Sequence, residues 1–241
     1  MVLVGPATRL ARFVEQESKR YVATARFGVR TTTDDLTGAV LPGGEPGVVE
    51  RLTEREVGAA LRGFLGSYHQ QPPRYSAKKV AGKPSYARAR RGEAVELAPV
   101  EVTVHAVALR EYRPPDATFE ATVSRGTYLR ALGRDWGERL GVGAHLVALR
   151  RLAIGPLRVE SAVQLGELTA GTPLLTPRQI LAHLPAIELD IAAQRDVAHG
   201  RPIHYESEDA PWVALVAGER LLAVARTEGE WLRPTVVLGA G

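Results

Sequence analysis

Apolar and polar positions along the chain follow two rhythms. In residues 7–17 (ATRLARFVEQE), Leu10, Phe13 and Val14 recur at helical spacing. Residues 19–29 (KRYVATARFGV) alternate instead, with Tyr21, Ala23, Ala25 and Phe27 on one face of a strand. A polar loop, GVRTTTDDLTG, runs from Gly28 to Gly38, and LPGGEPG at 41–47 reads as a turn segment. A helix is predicted to open at Thr53: Thr53 and Glu56 have capping-box spacing, Leu52 and Val57 fit a hydrophobic staple, and Val57, Ala60, Leu61, Phe64 and Leu65 share an apolar face.

Residues 70–92 have no clean period. Two strands are predicted beyond them, 100–109 and 117–124, then a helix over about 127–140 with Leu129, Leu132, Trp136 and Leu140 inward. HLVALRRLAI (145–154) reads as a buried strand, and short helices are predicted near 162–168 and 177–184. From about Leu184-Pro185 a second unit begins. It holds a helical stretch ending at Gly200, the sequence GRPI, and three strands at 212–216, 220–226 and 231–238. Strands and helices mix without a strict βαβ rhythm, which favours an α+β fold over a doubly wound sheet.

Composition narrows the function classes. The 241 residues are 45% hydrophobic and 24% charged, enough apolar material for a core. The absence of Cys removes disulfides, thiolate metal sites and Cys nucleophiles. No run approaches the ~18 apolar residues of a membrane span. No basic stretch followed by an apolar core opens the chain, so the expected compartment is the cytoplasm. The six His residues (69, 105, 145, 183, 199, 204) form no HExxH motif, and neither GxxxxGK[ST] nor GxSxG occurs.

A net charge of +4 leans mildly toward a polyanionic partner. The distribution is more informative. Arg outnumbers Lys 27 to 4, yet Lys78, Lys79 and Lys83 fall within six residues. They lie in RYSAKKVAGKPSYARARR (74–91), which also holds Arg74, Arg88, Arg90, Arg91 and two tyrosines, and no acid. Basic groups neutralise phosphates and aromatic rings stack on unpaired bases, so this segment points to nucleic acid; a solvated basic loop beside a core tyrosine is the plainer alternative. In SRGTYLRALGRDWGERLGVGAHLVALRR (124–151), Tyr128 and Arg130 sit where a strand gives way to a helix, and a helix start offers free N–H groups to an anion. Spacing alone favours a surface arginine beside a core tyrosine there. It favours a polar turn for Thr31-Thr-Thr-Asp34-Asp35.

Taken together, ATRLARF, KRYVATARFGVRTTTDDLTG, QQPPRYSAKKVAGKPSYARARRGE, SRGTYLRALGRDWGERLGVGAHLVALRRLAIG and the closing GRPI unit resemble, in order, the bacterial tRNA pseudouridine synthase B family. The resemblance implies an α+β synthase domain over 1–185 with a mixed, largely antiparallel sheet and a basic RNA-gripping insertion at about 66–95. A small β-rich PUA-like RNA-binding domain over 186–241 would follow. It implies isomerisation of the T-loop uridine at position 55 of tRNA by a cytoplasmic monomer, with the T arm as partner, no cofactor, no metal and no membrane. The uridine would be swung out of its stack. Tyr75 matches the tyrosine that stacks on the target uracil, and Arg130 matches the arginine that pairs with the catalytic Asp, with Tyr128 beside it. Leu149 matches an apolar pocket residue and Asp35 an acidic position near the site. Lys78, Lys79, Lys83, Arg88 and Arg90 fall in the gripping insertion.

The family's nucleophilic Asp belongs to a G-x-L-D-P-x-A-x-G segment preceding the residues similar to VLVGPATRL, and no LDP occurs in this sequence. The expectation is a coding start upstream of Met1; the alternative is a truncated, inactive homologue that binds tRNA without turnover. Arg130 is then expected to lack a carboxylate partner, at ~3–5 kcal/mol for a buried pair, and neither Asp34 nor Asp35 is expected to replace the nucleophile.

Overall fold

The computed structural model describes residues 1–45, 47–73, 75, 97–205 and 210–238, with the backbone alone of 79–80 and 83–84. In chain order the elements are α1 (Ala11–Gln16), β1 (Lys19–Phe27), β2 (Val29–Thr31), β3 (Val40–Pro42), α2 (Glu54–Arg62), β4 (Gly66–Gln70), β5 (Lys79–Val80), β6 (Lys83–Pro84), β7 (Val100–Arg113), β8 (Asp116–Val123), α3 (Leu129–Arg139) and β9 (Ala144–Ile154). They continue with β10 (Leu157–Arg158), α4 (Pro177–Ile180), β11 (Ala186–Glu188), α5 (Ile191–Ala198), β12 (Ile203–His204), β13 (Trp212–Ala217), β14 (Arg220–Glu228) and β15 (Trp231–Val237). Two compact units result: residues 18–154, and residues 1–17 with 155–241.

In the first unit the strands run β9-β1-β8-β7-β4, each antiparallel to its neighbours. The alternation expected in β1 is realised: Ala23, Ala25 and Phe27 are buried and the residues between them are not. They join Val57 and Leu61 of α2 and Leu129, Leu132 and Trp136 of α3 in one core. Trp136 is its centre, with Phe27 and Phe119 edge-on at 4.9 and 5.3 Å and its indole N–H donating to the Val57 carbonyl (3.1 Å). The α2 capping box forms as predicted, Thr53 and Glu56 satisfying each other's backbone N–H groups.

Two glycines set how closely α3 lies on β9. A Cβ at Gly137 would stand 2.4 Å from the Ala144 nitrogen, and one at Gly133 would stand 2.8 Å from Leu146. At Gly137 the obstacle is backbone, so any side chain there would push the helix off the sheet, and with it every group the helix carries; at Gly133 it is the end of the Leu146 side chain.

Two expectations need correction. The strand at 145–154 is buried only at its start; residues 148–151 are exposed. The helix near 162–168 does not form. Single 3₁₀ turns stand at Val159–Ser161 and Leu165–Glu167, because the apolar residues there find no partner and Leu165 is 85% exposed.

The second unit holds the sheet β11-β13-β14-β15-β12, with β11 parallel to β13 and the other pairs antiparallel. Its core gathers Ile187, Val197, Leu215, Leu222 and Leu232. Asp190 caps α5, its carboxylate accepting from the Ala193 N–H (2.7 Å). Among the described residues no helix is long and apolar enough to cross a membrane.

Candidate active site

The polar loop 31–38 is built by its own side chains. Asp34 takes a left-handed backbone conformation (φ 61°), which Asp tolerates better than most residues. Its carbonyl accepts from the Leu146 N–H of β9 (3.0 Å). One oxygen of Asp35, Oδ1, accepts from the Thr33 hydroxyl (2.7 Å), the Thr37 N–H (2.9 Å) and the Thr37 hydroxyl (2.6 Å). The Thr31 hydroxyl donates to the Asp35 carbonyl (2.7 Å). The polar turn read from the sequence is therefore present. The same loop also reaches α3 through Asp35.

The other Asp35 oxygen, Oδ2, faces α3, where Arg130 Nη1 donates to it at 2.8 Å and to the Thr33 carbonyl at 3.0 Å. Nη2 of the same guanidinium donates to the Tyr75 carbonyl (2.8 Å). Arg130 thus has a carboxylate partner within this chain, contrary to expectation. The pair is partly buried, each side chain 25% exposed. Burial pushes the Asp35 carboxyl up, but the hydrogen bonds from Thr37 and Thr33 and the charge of Arg130 outweigh it and hold the group at about 2. So weak a base, with both oxygens already bonded, suits an anchor and not a nucleophile.

That depressed value predicts a pH dependence. The stabilisation is complete above the ordinary Asp range and is lost as pH falls from about 4 to about 2. Its size is on the order of 1–2 kcal/mol after allowance for partial exposure. Acid unfolding followed by circular dichroism is expected to shift to higher pH on Thr37→Ala. An unshifted midpoint would remove the loop hydrogen bonds as the cause.

Beside the pair lies a hollow of about 270 Å³, lined by Asp35, Leu36, Thr37, Arg130 and the β9 stretch 146–149. Leu149 is 50% exposed into it, which accounts for an apolar residue left open on a strand. Tyr75 is half-buried and is tied to the site by its backbone carbonyl. Tyr128 is the N-cap residue of α3, two positions before Arg130, and is not among the residues lining the hollow. For Lys79 and Lys83 the structure describes backbone alone, in β5 and β6; Lys78, Arg88 and Arg90 lie outside the described residues.

Two contributors escape a sequence reading. Gln70 is fully buried at the end of β4. Its Oε1 accepts from the Tyr128 N–H (2.8 Å), and its Nε2 donates to the Tyr68 hydroxyl (2.7 Å) and the Tyr128 carbonyl (3.2 Å). This side chain fixes the first turn of α3, where Arg130 stands. Arg134 is the second, one turn beyond Arg130 on the same face; that i, i+4 spacing was the available signal.

Comparison with known proteins matches this arrangement to a family. The model described as TruB family pseudouridylate synthase (N terminal domain) matches residues 1–129, and that of the tRNA pseudouridylate synthase B C-terminal domain matches residues 130–176. The chain belongs to the TruB family. Proteins named tRNA pseudouridine synthase B are similar over nearly all of it. The one from Thermobifida fusca (strain YX) is 40% identical over 98% of this chain and 83% of its own length. That of Burkholderia mallei (strain NCTC 10247) is 40% identical over 98% and 82%.

Among solved structures, "Structure of H/ACA RNP bound to a substrate RNA containing 2'-deoxyuridine" superposes with a TM-score of 0.71 at 19% identity, over 98% of this chain and 71% of that one. "Crystal Structure of a Cbf5-Nop10-Gar1 Complex" gives 0.71 at 21%, over 98% and 70%. These likenesses establish the shared α+β pseudouridine synthase fold. Within a TruB chain, the loop 31–38, α3 and β9 are the elements that converge on the hollow.

Proposed function

We propose that this TruB chain isomerises uridine to pseudouridine at position 55 in the T loop of tRNA, acting as a cytoplasmic monomer. The observation that carries the reading is the Asp35–Arg130 pair at the edge of a hollow walled on one side by Leu149. In the reaction the N1–C1′ bond breaks, the uracil turns, and a C5–C1′ bond forms. C5 gives up its proton and N1 gains one, so composition is unchanged and no co-reactant is consumed.

This chain's residues do the supporting work. Leu149 offers an apolar wall, and Tyr75, on a segment held by Arg130, supplies the ring that stacks on the base. Tyr128 sets the start of α3. Arg130 has five N–H donors. The three bonds to Thr33, Asp35 and Tyr75 leave, among the described residues, donors for an acid in the hollow. Asp35 orients that guanidinium and, with both its oxygens bonded, is not the attacking carboxylate. Residues 186–241 serve as the PUA-like RNA-binding domain of a protein whose synthase domain spans 1–185.

The test is to supply the complete gene product with tRNA transcripts and quantify pseudouridine at position 55 by mass spectrometry after nuclease digestion. Stoichiometric conversion there, and none when that uridine is replaced by cytidine, is the expected result. Tight tRNA binding without conversion would move the protein to the alternative of a binding homologue.

The basic segment makes a separate prediction. Lys78, Lys79, Lys83, Arg88 and Arg90 are assigned to phosphates of the T arm. Lys78→Ala with Lys79→Ala is expected to weaken tRNA binding and to flatten the slope of log K against log salt by roughly 2. A filter-binding titration at several salt concentrations reads both, and an unchanged slope would take the two lysines off the phosphates.

A further inference from the structure

Arg134 is nearly buried, with 14% of its side chain exposed, and holds three groups at once. Nη1 donates to Asp34 Oδ2 (3.1 Å), and Nη2 donates to the Gln71 carbonyl (2.8 Å). Nε and Nη2 both donate to Asp135 Oδ1 (2.9 and 2.7 Å). The contact with Asp135 lies within α3. The other two leave the helix, and their destinations are those Arg130 reaches.

Arg130 joins the polar loop, through Thr33 and Asp35, to the segment beyond β4, through Tyr75. Arg134 joins the same loop, through Asp34, to the same segment, through Gln71. Gln71 is anchored twice over, because its side-chain amide also donates to the Leu97 carbonyl (2.6 Å). Four residues along a helix advance about 6 Å. Held at both the Gln71 and the Tyr75 carbonyls, this short connection keeps one orientation toward the helix.

We infer that Arg134 is a positioning residue for the uridine site: by tying Asp34 to the Gln71 carbonyl it fixes Gln71, and with it Tyr75, against the Asp35–Arg130 pair. The inference rests on the function proposed above, and it makes Arg134 a second rung that never meets the substrate. Only a forked guanidinium serves, because a lysine ammonium is a point donor that cannot span Asp34 and Gln71 while meeting Asp135.

The test uses Arg134→Lys, Arg134→Gln and Asp34→Asn, the last because Asn keeps the tolerance for a left-handed backbone and loses only the charge. Hydrogen exchange in the 241-residue chain is expected to quicken about tenfold or more in peptides covering 33–37 and 70–75, the loss expected of a hydrogen bond to a charged group. Peptides from β8 (116–123) are expected to keep their wild-type protection. In the complete gene product, kcat for pseudouridine formation is expected to fall ~100-fold for both Arg134 variants, as a misplaced group predicts, with KM for tRNA within about threefold.

Three results would overturn the inference. They are full activity and protection in Arg134→Lys, equal loss of protection in β8, and unchanged exchange at 33–37 and 70–75 in Arg134→Gln. A wild-type protein that makes no pseudouridine would sink the proposed function, while the exchange results would still decide whether Arg134 fixes Gln71 against the loop.

Discussion

Arg130→Ala in the complete gene product is expected to lower the rate of pseudouridine formation by on the order of 10²–10³-fold while tRNA binding changes little. The magnitude is that of removing one fixed donor aimed at developing charge in a partly dehydrated site. Arg130 is also the junction where Asp35 of the polar loop and the Tyr75 carbonyl meet, so its removal cuts that tie. Binding is spared because affinity for tRNA comes mainly from many phosphate contacts. Arg130→Lys is expected to recover little, since one ammonium cannot serve Asp35, the Thr33 carbonyl and the Tyr75 carbonyl together. Single-turnover kinetics beside a filter-binding isotherm separates the two effects. A matched fall in binding and rate would mean that Arg130 supports RNA docking and not the chemical step.

How legible this site is in the sequence depends on the range of each interaction. The capping box at Thr53 spans three residues and the alternation of β1 repeats every two, so both are readable locally. The strand β4 is not: GSYHQ has no apolar rhythm, and it exists because it pairs with β7 from Gly66 opposite Val104 to Gln70 opposite Val100. Gln70 belongs to the same class. A buried amide looks costly until its partners at Tyr128, 58 residues away, come into view.

Motif resemblance singles out Arg130, Asp35 and Leu149, and the structure brings all three to one hollow. The pairing of Arg130 was misjudged, because the acid sits 95 residues away in a loop that reads as an ordinary turn. β9 misled for a related reason. An apolar run is normally a buried strand, but here its exposed Ala148 and Leu149 wall a cavity, and cavities leave no periodic trace.

Tyr75→Ala is expected to lower the rate about 10–100-fold. A base that leaves its stack gives up contacts worth ~1–3 kcal/mol, and an aromatic side chain on the enzyme returns a similar amount. Without that ring, the described residues that line the hollow offer the extruded uracil an apolar wall at Leu149 and a polar edge at Asp35 and Arg130. Folding should be nearly untouched: Tyr75 is half-buried, and the bond tying it to Arg130 uses its carbonyl, which alanine keeps. Tyr75→Phe retains the π-face and is expected to stay within about threefold of wild type if stacking is the role. If the hydroxyl matters instead, the phenylalanine variant will fall as far as the alanine one. A thermal melt run beside the kinetics gives the third outcome: loss of stability in step with loss of rate would make Tyr75 a core residue, and the uracil would need a different platform.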